Sequence, residues 1–212
     1  HDWLARSIGS LRAQSFADWE LLAVDDCSRD GSLALLRELA SADARVQVLA
    51  LPANAGVAAA RNAGIAAARG RWIAFLDADD SWAPQKLALQ VADMRARDLS
   101  VSYAAYQRVD EQGRMLSEVR PPAEVDYPRM LESNHIGNLT GMYDRRLGAA
   151  RFRQVGHEDY VFWLDLVRRA GRAACVPSRT PLAFYTVRGG SVSANKLRAA
   201  GWKGHWIDAA SA

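Results

Sequence analysis

Cysteine is scarce in this 212-residue chain: Cys27 and Cys175 stand far apart and form no CxxC pair. That spacing argues against a disulfide framework and a thiolate metal knuckle. With no secretory leader visible, it predicts two reduced thiols in a cytosolic protein. No apolar run reaches the ~20 residues of a membrane span. The net charge is only +3, from 27 basic and 24 acidic side chains, so nucleic acid is not an expected partner. A mild basic bias suits anionic ligands such as phosphates, or an anionic membrane surface. Linkers, low-complexity tracts and internal repeats are also missing. With 50% hydrophobic residues, the chain has enough apolar material for one domain, residues 1–212, whose halves (about 1–100 and 101–212) share a sheet.

What is present is an alternation of strands and helices. "HDWLARSIGSLRAQ" places Leu4, Ile8 and Leu11 on one helical face. "ELLAVDDCSRDGS" is a short apolar strand, Leu21 to Val24, ending in Asp25 and Asp26 before turn residues and a helix from Ser32 to about Ala40. "RVQVLAL" reads as a second strand. "NAGVAAARNAGIAAARG" reads as a helix capped by Gly70, and "WIAFL" as a third strand. This order predicts a parallel, doubly wound sheet with its functional groups at the carboxyl ends of strands. Pro84 suits a helix start, followed by Leu87, Val91 and Met94 on one face. Beyond residue 100 the pattern becomes α+β: "SVSYAAYQRVDEQGRML" suggests two strands around a Gly113 turn, "IGNLTGMYD" another strand, and "HEDYVFWLDLVRRAG" a helix closed by Gly171.

Three acidic groups invite chemistry, and each has a plain structural reading beside it. Asp25 and Asp26 suit a turn as well as a ligand site. Asp77, Asp79 and Asp80 fall within four positions at the end of an apolar run and repel one another unless a cation intervenes. A D-x-D at a strand end can offer oxygen to Mg2+ or Mn2+, which in turn can hold the phosphates of a nucleotide. Asp80 can instead cap the following turn, and Trp82 is read as packing. Glu158 and Asp159 begin a helix, where the macrodipole alone favours acids. His157 is read as their solvent-facing neighbour, with a phosphate or metal contact as the alternative.

Taken together, "WELLAVDDCSRDGS", "NAGVAAARNAGIAAARGRWIAFLDADDSWAPQKLALQ" and "HEDYVFWLDLV" resemble the nucleotide-sugar glycosyltransferases of family 2, over nearly the whole chain. The resemblance implies the GT-A fold, an α/β doubly wound mixed sheet with flanking helices. It also implies inverting, metal-dependent transfer of one sugar from a donor, UDP-linked by expectation, to a glycan or lipid-linked acceptor in surface polysaccharide synthesis. By that resemblance Asp26 contacts the nucleobase, Arg61 lies near the nucleotide, Asp77 near the ribose and Asp79 on Mn2+ or Mg2+. Asp159 is the catalytic base, with Glu158 the alternative. The chemistry suits these residue types, because charge on the departing phosphate needs a cation and the acceptor hydroxyl needs a base.

The Q-x-x-R-W motif of processive members is absent, which implies single-sugar addition. Family members usually open with a buried strand of the type "VSVIIPTYN". The present sequence starts just after it, so a sheet without that strand is expected. Arg188 to Ser191 are read as a loop able to contact the diphosphate, and Trp202 and Trp206 as a membrane-interface helix or a packing edge. The expected location is the cytoplasm, with the inner face of the membrane as a peripheral contact. Two other readings are a sugar-phosphate nucleotidyltransferase, which would want a Gly-rich phosphate loop, and an inactive nucleotide-binding fragment. A receiver-like signalling domain would explain Asp25 and Asp26 but not the two later acidic groups.

Overall fold

The computed structural model describes residues 2–188. Its first element, α1 (Asp2–Arg12), buries Ile8 and Leu11 on the face that their spacing predicts. β1 (Leu21–Asp25) leads through a turn to α2 (Ser32–Ala42), and β2 (Val46–Ala50) returns parallel to β1, with Leu21 opposite Val46 and Asp25 opposite Ala50. α3 (Val57–Ala67) then crosses to β3 (Trp72–Ala74) and β4 (Ser81–Trp82), followed by α4 (Lys86–Ala96). The second half comprises β5 (Val101–Tyr103), β6 (Tyr106–Val109), β7 (Met115–Val119), β8 (Glu124–Val125) and α5 (Tyr127–Glu132). After them come β9 (Met142–Asp144), α6 (Glu158–Ala170), β10 (Ala173–Cys175) and β11 (Ala183–Thr186).

The strands form three hydrogen-bonded groups, in the orders β1-β2, β3-β9-β5-β10-β8 and β4-β11-β6-β7. Strands of the two halves pair with each other, β3 with β9 and β4 with β11. The strands form a mixed arrangement, as the resemblance implies, with the parallel pairing suggested by the strand and helix order seen between β1 and β2. β9, reached through α5 and a 3-10 turn at Asn138–Thr140, runs antiparallel to both β3 and β5. That turn also shortens the strand expected over "IGNLTGMYD". "SVSYAAYQRV" divides at the buried pair Ala104 and Ala105 into β5 and β6, which belong to different sheets. Gly70 does not cap α3: the helix stops at Ala67 with Ala68 extended, and the Gly70 N–H donates to Glu20 instead. Gly113 and Gly171 do take the positive φ that their turns need, 79° and 76°.

β1 and β3 are not paired with each other. Their open edges border a cleft of about 850 Å³, lined by Leu4 and Ile8 of α1, Val24, Ile65 of α3, Ile73 and Leu76. The resemblance puts the family's first strand inside the sheet, and among the described residues nothing pairs with either edge here. Arg61 and Asp77 also line this cleft.

Under the cleft's neighbour α6 lies an aromatic core. Phe152 and Phe162 stack at 4.0 Å, and Phe75 meets Phe152 edge-on at 5.0 Å. Trp163 is fully buried, and a Cβ added at Gly141 would come within 2.2 Å of its ring. Only glycine therefore lets the segment before β9 close on α6. This packing fixes the start of α6, where the third acidic group sits.

Candidate active site

Each acidic doublet divides in two. Asp25 is buried and accepts from the backbone N–H and the hydroxyl of Ser28, so for this residue the turn reading holds. Asp26, next along, reaches the start of α3. One carboxylate oxygen accepts from the Ala55 N–H at 2.7 Å and the other from the Gly56 N–H at 2.8 Å. The unpaired amides and positive dipole end of a helix make that placement favourable.

The second group behaves likewise. Asp80 is buried and accepts from the Thr186 N–H at 2.9 Å, tying the acidic loop to β11. Burial pushes its carboxyl up to about 8, with the negative charges of Asp77 and Asp79 adding to the effect. Asp80 therefore anchors β11 and is not seen capping the following turn, because its carboxylate is taken by the Thr186 N–H of that strand. Asp77 and Asp79 turn outward. Trp82 is packing, as expected, with its indole N–H donating to the Leu139 carbonyl at 2.8 Å.

Arg61, on the second turn of α3, joins the second and third groups. One guanidinium nitrogen donates to both Asp77 oxygens at 3.0 and 3.1 Å, and the other donates to Glu158 at 2.9 Å. Burial works to lower the Arg61 pKa, but attraction from Asp77, then Glu158 and Asp159, outweighs it, and the net shift is upward. The charge of Asp159 is thus felt at the same guanidinium. Phe152 supports the group from below, its ring centre 5.1 Å from the guanidinium carbon.

Glu158 and Asp159 occupy the first turn of α6, after His157, which adopts a left-handed conformation at the N-cap and is half-buried. Glu158 is committed to Arg61. Asp159 carries no hydrogen bond or ion pair among the described residues and is half-buried on the same turn. Arg188, two residues past β11, donates to Asp79 at 3.0 Å. Sequence reasoning missed Tyr106, whose ring lies against Gly137. Burial raises its phenol, Arg108 opposes this, and the charges of Tyr185, Asp80 and Asp159 add to it, so it lies within electrostatic reach of both carboxylates. An aromatic residue in a strand signals packing, and no spacing marks it as anything more.

No group of three or more metal-ligating side chains occurs among the described residues. That donor set still fits Mg2+ or Mn2+ as bound with a nucleotide, because such an ion takes one or two carboxylates from the protein and its other oxygens from phosphate and water. Asp79 is the carboxylate available for that purpose. Gly189 to Ser191, Trp202 and Trp206 lie outside the described residues.

Residues 1–156 match the family described as glycosyl transferase family 2, and the chain belongs to it. It is 34% identical over 206 residues to TuaG of Bacillus subtilis (strain 168), named for teichuronic acid biosynthesis, covering 94% of this chain and 79% of that one. It is 32% identical to WfgD of Escherichia coli, named as a UDP-Glc:alpha-D-GlcNAc-diphosphoundecaprenol beta-1,3-glucosyltransferase, covering 92% and 76%. Among solved structures, S. aureus TarS 1-349 in complex with UDP-GlcNAc superposes with a TM-score of 0.73 at 22% identity, covering 90% of this chain and 56% of that one. The fold is thus of the GT-A type and the protein a glycosyltransferase, which removes the nucleotidyltransferase and receiver readings. Among the described residues, no helix is long and apolar enough to cross a membrane.

Proposed function

We propose that the chain transfers one sugar, with inversion, from a UDP-linked donor to a glycan or lipid-linked acceptor in bacterial surface polysaccharide synthesis. The observation that carries this reading is the Arg61 bridge. It binds Asp77 of the acidic loop and Glu158 of α6 at once, and so leaves Asp159 as the carboxylate without a partner among the described residues. The donor and acceptor classes follow the names of WfgD and TarS. A lipid-linked acceptor would bring the protein to the cytoplasmic face of the membrane.

In this reading Asp26 and Asp77 bind the nucleoside, and Asp79 would hold Mn2+ or Mg2+. When bound, the cation supplies positive charge to the departing diphosphate. Asp159 takes the proton of the acceptor hydroxyl as that oxygen attacks the anomeric carbon. The bond from that carbon to the diphosphate oxygen breaks on the opposite face, which inverts the centre. Glu158 orients the helix start through Arg61 and is a positioning residue. The test is a transfer assay with a panel of nucleotide sugars, Mn2+ and a diphosphate-lipid acceptor carrying one sugar. A UDP-sugar should give a product one residue longer with inverted linkage, whereas a retained linkage, or hydrolysis alone with every acceptor, would reject the reading.

A further inference from the structure

One face of β6 looks towards the first turn of α6. Tyr106 and Arg108, two apart on β6, stand on that face together with Tyr185, which lies opposite Arg108 on the parallel neighbour β11. A chain of contacts fixes the orientation. A Cβ added at Gly137 would meet the Tyr106 ring at 3.2 Å, and Asn138, next along, accepts at 3.3 Å from the indole N–H of Trp163, one helical turn beyond Asp159. The charges of Arg108 and Asp159 are both felt at the Tyr106 phenol. Arg108 is half-buried, yet its side chain has no hydrogen bond or ion pair among the described residues, whereas Arg29, Arg37 and Arg151, which also lack one, are exposed. A guanidinium held half out of water without a carboxylate carries a desolvation cost that an arriving anion would offset.

We propose that this face of β6 is an acceptor subsite, in which Arg108 binds a phosphate carried on the anomeric oxygen of the acceptor sugar whose hydroxyl meets Asp159, with the Tyr106 ring against the sugar between them. Arg108 and Asp159 have opposite charges and lie within electrostatic reach of one phenol, but they form no ion pair with each other. They are therefore set apart, and a ligand that bridges them needs a proton to give at one end and negative charge at the other. Asp159 would repel a phosphate placed against it, so the attacked hydroxyl and the phosphate must leave opposite ends of the sugar. A guanidinium holds phosphate oxygens in a bidentate fashion, and an aromatic ring gives the sugar's carbon face a surface to pack on. The residues assigned to the donor, Asp26, Arg61, Asp77 and Asp79, all come from the first half of the chain, whereas Tyr106, Arg108 and Asp159 come from the second. This subsite deepens the acceptor reading above and rests on it.

The test titrates wild type, Arg108→Ala and Arg108→Lys by calorimetry, first with UDP and Mn2+ and then, at saturating UDP and Mn2+, with two kinds of acceptor probe. These are the alkyl diphosphates of glucose and N-acetylglucosamine, and the matching neutral alkyl glycosides. Wild type should bind a glycosyl diphosphate more tightly than its neutral counterpart. Arg108→Ala should bind the diphosphate about tenfold more weakly, having lost a charge-assisted bond, and the neutral glycoside as wild type does. Arg108→Lys keeps the charge without the planar fork and should fall between them. UDP should bind all three proteins alike. Thermal melting of each variant checks folding, and Arg108→Lys keeps the comparison open if the alanine variant is destabilised. The subsite is overturned if wild type does not prefer the diphosphate probes, if both substitutions leave their affinity unchanged, or if they weaken charged and neutral probes equally. A loss of UDP affinity in a folded Arg108 variant would move the residue to the donor and overturn it too. Failure of wild type to bind UDP would reject the donor reading instead, and the acceptor titrations would still decide the subsite.

Discussion

Arg61→Met isolates the bridge between the acidic loop and α6. Methionine keeps an unbranched stem against Phe152, so the loss is mainly one of charge and hydrogen bonds. The bond to Glu158 joins side chains only 13% and 23% exposed, and a charge-assisted bond of that kind contributes about 1.5–3 kcal/mol. The Asp77 side chain is 40% exposed, so solvent screening reduces that pair to about 0.5 kcal/mol. Relief of guanidinium desolvation offsets part of the sum, and a net loss of about 2 kcal/mol follows. For a chain of this length that lowers the melting temperature by about 4–8 °C. Turnover should fall by tenfold or more, because the first turn of α6 loses its tether and small misplacements at a reacting centre are costly. Arg61→Lys restores one charge but cannot span two carboxylates, so it should recover part of the stability and little of the turnover. Calorimetric melting and turnover at saturating donor provide the measurements. A melting temperature within about 1 °C of wild type would refute the energetic reasoning, and normal turnover would remove the bridge from the mechanism.

The other predictions separate chemistry from packing. Asp159→Asn should cut turnover by roughly 10²-fold while leaving UDP affinity and melting temperature nearly intact. Glu158→Gln should lower the melting temperature and reduce turnover less; collapse in Glu158→Gln with normal Asp159→Asn would transfer the role of base. Gly141→Ala places a methyl group in the Trp163 ring and should cost about 1–3 kcal/mol or more, and an unchanged urea midpoint would contradict that contact. Lys86 is fully buried against Trp82 and Gln90, and burial lowers its pKa to about 7 from 10.5. Between those values the unfolded chain binds the extra proton, so this group makes stability rise with pH from about 7 towards 10. Lys86→Met should abolish that component in urea melts, and an identical pH dependence in both proteins would refute the shift.

Much of the fold was legible because its signals are local. Leu4, Ile8 and Leu11 fall at helical spacing, Gly113 and Gly171 end elements where positive φ is needed, and apolar runs end in acids at the edge of the sheet. The failures are tertiary. Nothing in "SVSYAAYQRV" shows that Ala104 and Ala105 pass between two sheets, and nothing near Gly70 shows that Glu20, 50 residues earlier, takes its N–H. Pairings such as Arg61 with Glu158, 97 residues apart, and Asp80 with Thr186, 106 apart, leave no periodic trace in a single sequence.

The doublets nonetheless carry a signal that local physics can decode. At the end of an extended strand, where β1 closes on Asp25 and Asp26 follows, neighbouring side chains point to opposite faces. Asp25 turns in to make its loop while Asp26 turns out to the start of α3. In the turn between β3 and β4 the division comes from partners and not from a pleat: Asp80 is buried and accepts from the β11 backbone, while the more exposed Asp79 accepts from Arg188. At the start of a helix the division arises from the ~100° step between neighbours, and there Glu158 is taken by Arg61 while Asp159 is left without a partner among the described residues. Each pair thus holds one carboxylate that packing or an ion pair occupies and one that the proposed function assigns to donor or acceptor. Removing buried Asp80 should be read in stability, and removing Asp79, whose side-chain partner among the described residues is the half-exposed Arg188, in binding.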